Sequence, residues 1–150
     1  PGETAKPLAK TASGGELSRI MLALKTIFMR SQGITSIIFD EVDTGVSGRV
    51  AQAIADKISG IARFSQVLCI THLPQVAAMS DHHFFIQKQV VQQRTRTSLK
   101  VLKTPERIDE LARMLSGTTV TKLTREHAHE LLVLAKSEKK RLAAKQPSSK

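Results

Sequence analysis

The run Ser36-Ile37-Ile38-Phe39-Asp40-Glu41 limits what this chain can fold into more than any other stretch. Three apolar residues of high strand propensity lead straight into two adjacent carboxylates. An uninterrupted apolar run, as opposed to an alternating one, suits a strand covered on both faces, as in a parallel sheet. Such sheets collect their chemistry at the carboxyl ends of the strands, where the loops emerge. Asp40 and Glu41 fall at that end, and neighbouring strand residues point to opposite sides, so the two acids can do different work. One can hold a hard cation such as Mg²⁺, which prefers oxygen ligands and keeps several waters. The other can orient or deprotonate an attacking water. Taken alone, the same six residues also read as a strand running into a solvated acidic turn.

The residues on either side favour the first reading. Ser13-Gly14-Gly15-Glu16 precedes Leu17, Ile20, Met21, Leu24, Ile27 and Phe28, whose three- and four-residue spacing predicts a helix to about Arg30, stopped near Gly33. Two glycines allow close backbone approach, and the free N–H groups of a helix start attract anions. Ser13 and Glu16 also fit an ordinary capping box. After Glu41, the glycine-punctuated Val42-Asp43-Thr44-Gly45-Val46-Ser47-Gly48 reads as a tight loop. A helix over roughly 47–62 follows, with Val50, Ile54, Ile58 and Ile61 as its stripe. Residues 66–71 form a second buried strand ending in Thr71-His72-Leu73-Pro74, so His72 sits at a strand end as Asp40 does. Pro74 opens a short helix to Met79. Strand, helix, strand, helix predicts parallel β-α-β units.

Residues 84–91 and 95–103 read as a hairpin at the sheet edge. Thr104-Pro105-Glu106 starts a helix carrying Ile108, Leu111, Ala112 and Leu115 that ends near Gly117. Thr121 or Thr124 caps a last helix with Leu131, Leu132 and Leu134. From Lys136 the chain turns polar and basic, and 136–150 reads as a frayed, solvated tail. Residues 1–135 read as a single domain.

Composition narrows the function classes. A net charge of +10 points to a polyanionic partner. No apolar stretch is long enough for a membrane span, and no signal-peptide pattern opens the chain. The one cysteine, Cys69, lies inside a strand, which fits an inert core thiol in a reducing compartment. With no Trp or Tyr and only five Phe, base stacking has little to work with, so nucleic-acid contact should be electrostatic. His82-His83 and His127/His129 are spaced so that neither pair shares a face, which argues against structural zinc. Met21 and Met114 read as core filler.

Three elements now stand in order: Ser13-Gly14-Gly15-Glu16-Leu17-Ser18-Arg19 at a helix start, Ile37-Ile38-Phe39-Asp40-Glu41 at a strand end, and Thr71-His72 at another. They resemble the signature motif, the Walker B motif and the switch histidine of ABC-type ATPases. The variants Phe39-Asp40-Glu41-Val42-Asp43-Thr44-Gly45-Val46-Ser47-Gly48, Thr71-His72-Leu73-Pro74-Gln75-Val76-Ala77 and Glu110-Leu111-Ala112-Arg113-Met114-Leu115-Ser116-Gly117 are similar to those of the RecN family of SMC-like DNA repair ATPases. The resemblance covers about residues 1–135.

It implies an α/β fold, a mostly parallel sheet with flanking helices, forming the carboxyl-terminal half of a P-loop NTPase head. It implies ATP and Mg²⁺ as cofactors, with Asp40 on the metal, Glu41 polarising the attacking water and His72 on the γ-phosphate. Ser13, Gly14, Gly15 and Glu16 would face a nucleotide held by a second head, and Asp43, Thr44, Gly45, Val46 and Ser47 would line the contact between heads. Ser47 stands where such loops often end in Asp. The implied partners are an amino-terminal lobe bearing the phosphate loop, a second head in an ATP-dependent homodimer, and DNA, with no membrane. The implied setting is the cytoplasm and nucleoid, in the response to DNA damage, double-strand break repair and recombination. No Gly-x₄-Gly-Lys-Ser/Thr occurs in the chain, so this lobe alone is expected neither to bind ATP tightly nor to hydrolyse it. Two other readings are a non-enzymatic DNA-binding or dimerisation module and the nucleotide-binding half of a transporter.

Overall fold

Residues 14–40, 42–91, 94–117 and 119–145 are described by the computed structural model, and the chain divides after Leu73 into two units, Pro1–Leu73 and Pro74–Lys150. Ser13 and Glu41, both singled out by the sequence, lie outside the described residues.

The first unit comprises α1 (Gly14–Gln32), β1 (Ser36–Phe39), α2 (Gly48–Ile61) and β2 (Gln66–Cys69). Gly33, at φ 61°, follows α1 in the left-handed conformation that ends many helices. β1 and β2 pair in parallel, Ser36 opposite Gln66 through Phe39 opposite Cys69. Two backbone bonds extend the ladder, from Gln66 N–H to Thr35 O (2.8 Å) and from Ile70 N–H to Phe39 O (2.9 Å). The pairing is thus in register up to the residues that follow each strand. α2 buries Ala51, Ile54, Ala55, Ile58 and Ile61, a three- and four-residue stripe, and Leu22, Phe39 and Val42 are buried with them. Val50, expected on that stripe, is 51% exposed, and Ala51 takes its place.

The first unit leaves much apolar surface uncovered. Of the α1 face expected in the core, Leu17, Ile20, Met21, Leu24, Ile27 and Phe28 are all exposed, while Leu22 joins the core. Met21 is therefore not core filler. On the parallel pair, Ile38 is 67% and Ile70 57% exposed. A groove of about 330 Å³ opens between α1 and α2, lined mainly by Leu22, Ala23, Ile27, Val50, Ala53 and Ile54.

The second unit comprises α3 (Pro74–Ala78), β3 (His83–Val91), β4 (Arg94–Leu102), α4 (Thr104–Ser116) and α5 (Lys122–Lys145). β3 and β4 pair antiparallel from His83 opposite Leu102 to Val91 opposite Arg94. The Glu106 carboxylate accepts from the Lys103 N–H (2.9 Å) and pairs with Lys100, anchoring the start of α4 to the hairpin. Thr121 caps α5: its hydroxyl accepts the Thr124 N–H (3.2 Å), and Thr124 Oγ1 accepts the Thr121 N–H (2.9 Å). α4 and α5 pack on one another, and Leu111, Ala112, Ala128 and Ala135 of the two helices are buried. α5 continues through the basic segment to Lys145, and Lys139 pairs with Asp81.

The expected mostly parallel sheet is corrected. Among the described residues there are two two-stranded sheets, one parallel and one antiparallel, with five helices. The hairpin forms, but as its own sheet and not as the edge of the parallel one. The reason is local. Only two segments are joined by a crossover helix, so parallel pairing stops at two strands, while the hairpin completes its ladder with itself.

Arg107 gathers the end of α3. Its Nη2 donates to Ala78 O (3.3 Å), Ser80 O (3.0 Å) and Ser80 Oγ (3.3 Å). Beside it, burial pushes the His83 imidazole pKa down, the Arg107 charge adds to the fall, and Glu110 opposes it. His83 Nδ1 is buried with no hydrogen-bond partner among the described residues. A histidine with a depressed folded pKa protonates first in the unfolded chain, so its contribution is whole above about pH 6.5 and is lost as pH falls toward the folded value. Thermal unfolding followed by circular dichroism should therefore show a melting temperature that drops below that pH. His83→Gln should flatten the drop; an unchanged profile would remove His83 as its source.

Candidate functional site

Parallel pairing of β1 with β2 brings two loops out on one side, because both strands end there. Asp40 follows Phe39 directly and is exposed. Thr71 and His72 follow Ile70, whose N–H is bonded to Phe39 O. Asp40 and His72 thus emerge from the same end of the same pair.

Asp43 ties the two loops together. Its carboxylate is 1% exposed, among the most deeply buried side chains in the chain. Oδ2 accepts the Thr71 hydroxyl in a short bond and the His72 N–H at 3.0 Å, and lies 3.4 Å from His72 Nδ1. Thr71 Oγ1 in turn accepts the Leu73 N–H at 3.0 Å. A buried carboxylate needs such partners, because an unsatisfied one is strongly disfavoured. The His72 ring itself remains 66% exposed, so its backbone is held while its imidazole faces outward.

The same loop receives the start of α1. Asp43–Val46 closes as a turn, with Val46 N–H donating to Asp43 O (3.4 Å) and Gly45 at φ 70°, where a side chain is strained. This turns Thr44 O toward α1, where it accepts from Arg19 Nη1 at 2.9 Å. Gly15 lies so close that a Cβ there would stand 3.0 Å from Thr44 O. A side chain at that position would press on the Thr44 carbonyl. Gly14 opens the helix and Glu16 lies in its first turn. Thr44, Gly45 and Ser47 are exposed and Val46 is half-buried.

Three sequence motifs thus meet around one loop: the Gly14–Gly15 helix start, the residues after β1 and the Thr71-His72 strand end. The acid between them also acts on its neighbours. The Cys69 thiol is pushed up to about 12, chiefly by burial and then by the charges of Asp43 and Asp40. It stays protonated at neutral pH, which suits an inert thiol. Among the described residues no three His, Cys, Asp or Glu side chains converge on a metal position. Asp40 offers an exposed carboxylate at this end of the strand pair. Sequence reasoning placed Asp43 only at a contact between heads and gave Thr71 and Arg19 no separate task. A hydroxyl beside the strand-end histidine and an acid two residues past Glu41 were the available signals.

No family model matches the chain. It is 66% identical over 137 residues to the DNA repair protein RecN of Halalkalibacterium halodurans, covering 91% of this chain and 24% of that protein. Identity to the Bacillus subtilis protein of the same name is 62% over 131 residues, 87% of this chain and 23% of the relative. For that of Streptomyces coelicolor it is 45% over 139 residues, 93% and 24%. The chain therefore spans about a quarter of the length of the curated relatives it matches.

Asp43→Ala strands the Thr71 hydroxyl and the His72 N–H, and should cost about 1–3 kcal/mol in urea unfolding, with Asp43→Asn costing less. An Asp43→Ala chain as stable as the parent would mean that the tie between the loops carries no weight.

Proposed function

We propose that this chain is the carboxyl-terminal lobe of a RecN-type, SMC-like ABC ATPase head, acting with ATP and Mg²⁺ in DNA repair. The observation that carries the reading is the meeting of the Gly14–Gly15 helix mouth, the Asp43–Ser47 loop and His72 around one buried carboxylate. Likeness over nine-tenths of the chain to proteins named for DNA repair supports the repair role.

In this reading the lobe supplies half of a nucleotide site. Asp40 offers its carboxylate to the metal bound with the phosphates. Glu41 orients and deprotonates the attacking water. His72, its backbone fixed by Asp43, presents an exposed imidazole to the γ-phosphate. Ser13, Gly14, Gly15 and Glu16 offer the amino end of α1 to a nucleotide carried by a second head. Thr44 to Ser47 meet that head, and Asp43 serves this contact by fixing the loop from beneath. Because Arg19 and Gly15 grip Thr44, a push on the α1 mouth passes to the loop and through Asp43 to His72.

The uncovered apolar surface of the first unit supports a missing partner. Ile38, Ile70 and the outer face of α1 are what further parallel strands and helices of the same head would cover, each burial being worth about 1.5–3 kcal/mol. We assign that cover to the amino-terminal, phosphate-loop lobe. No helix among the described residues is long and apolar enough to cross a membrane, and we place the complete protein in the cytoplasm, at the nucleoid.

Glu41→Gln in the complete protein should lower ATP turnover by about 10²-fold or more while ATP-dependent dimerisation persists; unchanged turnover would remove Glu41 as the base. Residues 1–150 alone should give no nanomolar ATP binding by calorimetry. Such binding would contradict a lobe that needs a second one.

A further inference from the structure

Between Asp81 and Glu106 the chain contains no acid, yet it carries Lys88, Arg94, Arg96, Lys100 and Lys103. β3 and β4 fill most of this interval, so the imbalance is displayed on a two-stranded ribbon. Strand alternation sorts it by face. Phe84 pairs with Val101 and Ile86 with Leu99, and these four form an exposed apolar face near the base. On the opposite face, Arg94, Arg96, Ser98 and Lys100 follow one another along β4, with Gln87 and Gln89 across from Ser98 and Arg96. Arg94, Arg96, Ser98 and Lys100 are exposed. Lys100 is paired with Glu106, but no ion pair among the described residues engages Arg94 or Arg96.

We propose that this basic face of the β3–β4 hairpin, centred on Arg94 and Arg96, is a contact for the phosphate backbone of duplex DNA. The proposal rests on the DNA repair reading and gives that partner a surface. Alternate residues of a strand stand about 6.6 Å apart, so β4 carries its cations in a line that tracks a backbone. Arginine's planar fork suits phosphate oxygens, and Ser and Gln donate to them without charge. A two-stranded ribbon is also of a width that the major groove admits. Phe85, across from Lys100 on this face, is half-buried, and the exposed residues Gln89, Arg94, Arg96, Ser98 and Lys100 carry no aromatic ring, so stacking on single-strand bases is disfavoured. A lipid surface is less favoured, because Arg94 and Arg96 lie opposite the apolar face, which holds Lys88 as its one cation among the described residues.

The test is fluorescence anisotropy of the full chain with a labelled duplex DNA over a salt series. Arg94→Gln combined with Arg96→Gln should weaken binding about tenfold at low salt and reduce the slope of log affinity against log salt by about two. Lys136→Gln with Lys140→Gln removes the same charge from exposed positions of α5 and should change affinity less than about twofold. Restoring charge as Arg94→Lys with Arg96→Lys should recover most of the binding. Equal losses from the two neutralised pairs, no loss from the hairpin pair, or no binding by the parent chain would overturn the proposal. So would anionic vesicles binding more tightly than DNA with the same dependence on Arg94 and Arg96. ATP turnover of the complete protein carrying the hairpin pair separates the two readings: preserved turnover with unchanged DNA binding removes the DNA surface and leaves the nucleotide site standing.

Discussion

A single buried carboxylate organises the working end of this protein. Asp43 is cut off from water, and its Oδ2 takes the Thr71 hydroxyl and the His72 N–H as partners. Burial makes those bonds obligatory, since the alternative is an unpaired charge in a poorly solvating interior. The loop after β1 and the residues after β2 are therefore tied to each other. Gly15 and Arg19 bind α1 to the same loop through Thr44. Parallel pairing brings the strand ends together; Asp43 fixes their orientation.

The periphery contrasts with this closely satisfied centre. Polar groups near the loops have partners, while large apolar side chains on α1 and the parallel strands face water. A chain selected to stand alone would reverse that balance, because exposed apolar patches promote association. In the proposed head, a second lobe would cover those apolar faces and supply the phosphate loop. The second unit follows a different logic. The starts of α4 and α5 are capped, Arg107 ties α3 to α4, and its hairpin carries charge on the face that holds Arg94 and Arg96.

Several features were open to direct reading from the chain. The apolar run into Asp40-Glu41, the helix stripes, the glycine stop after α1, the proline-led start of α3 and the hairpin alternation all depend on near-neighbour physics. Their element types hold in the structure. Readings that failed depended on what lies across from a residue. Periodicity identified the apolar face of α1 but not whether this chain covers it, and a run fit for a two-sided sheet does not say how many strands are present to build one.

Sequence by itself determined the motifs, their order and the elements that carry them, because turn chemistry and periodicity act over a few residues. Only the tertiary structure decided that Asp43 is the buried tie between two loops and that Gly15 is a close-packing position against Thr44. The Asp43 tie and the Gly15 contact come from segments about 25–30 residues apart, where burial, which no local pattern encodes, chooses the partner.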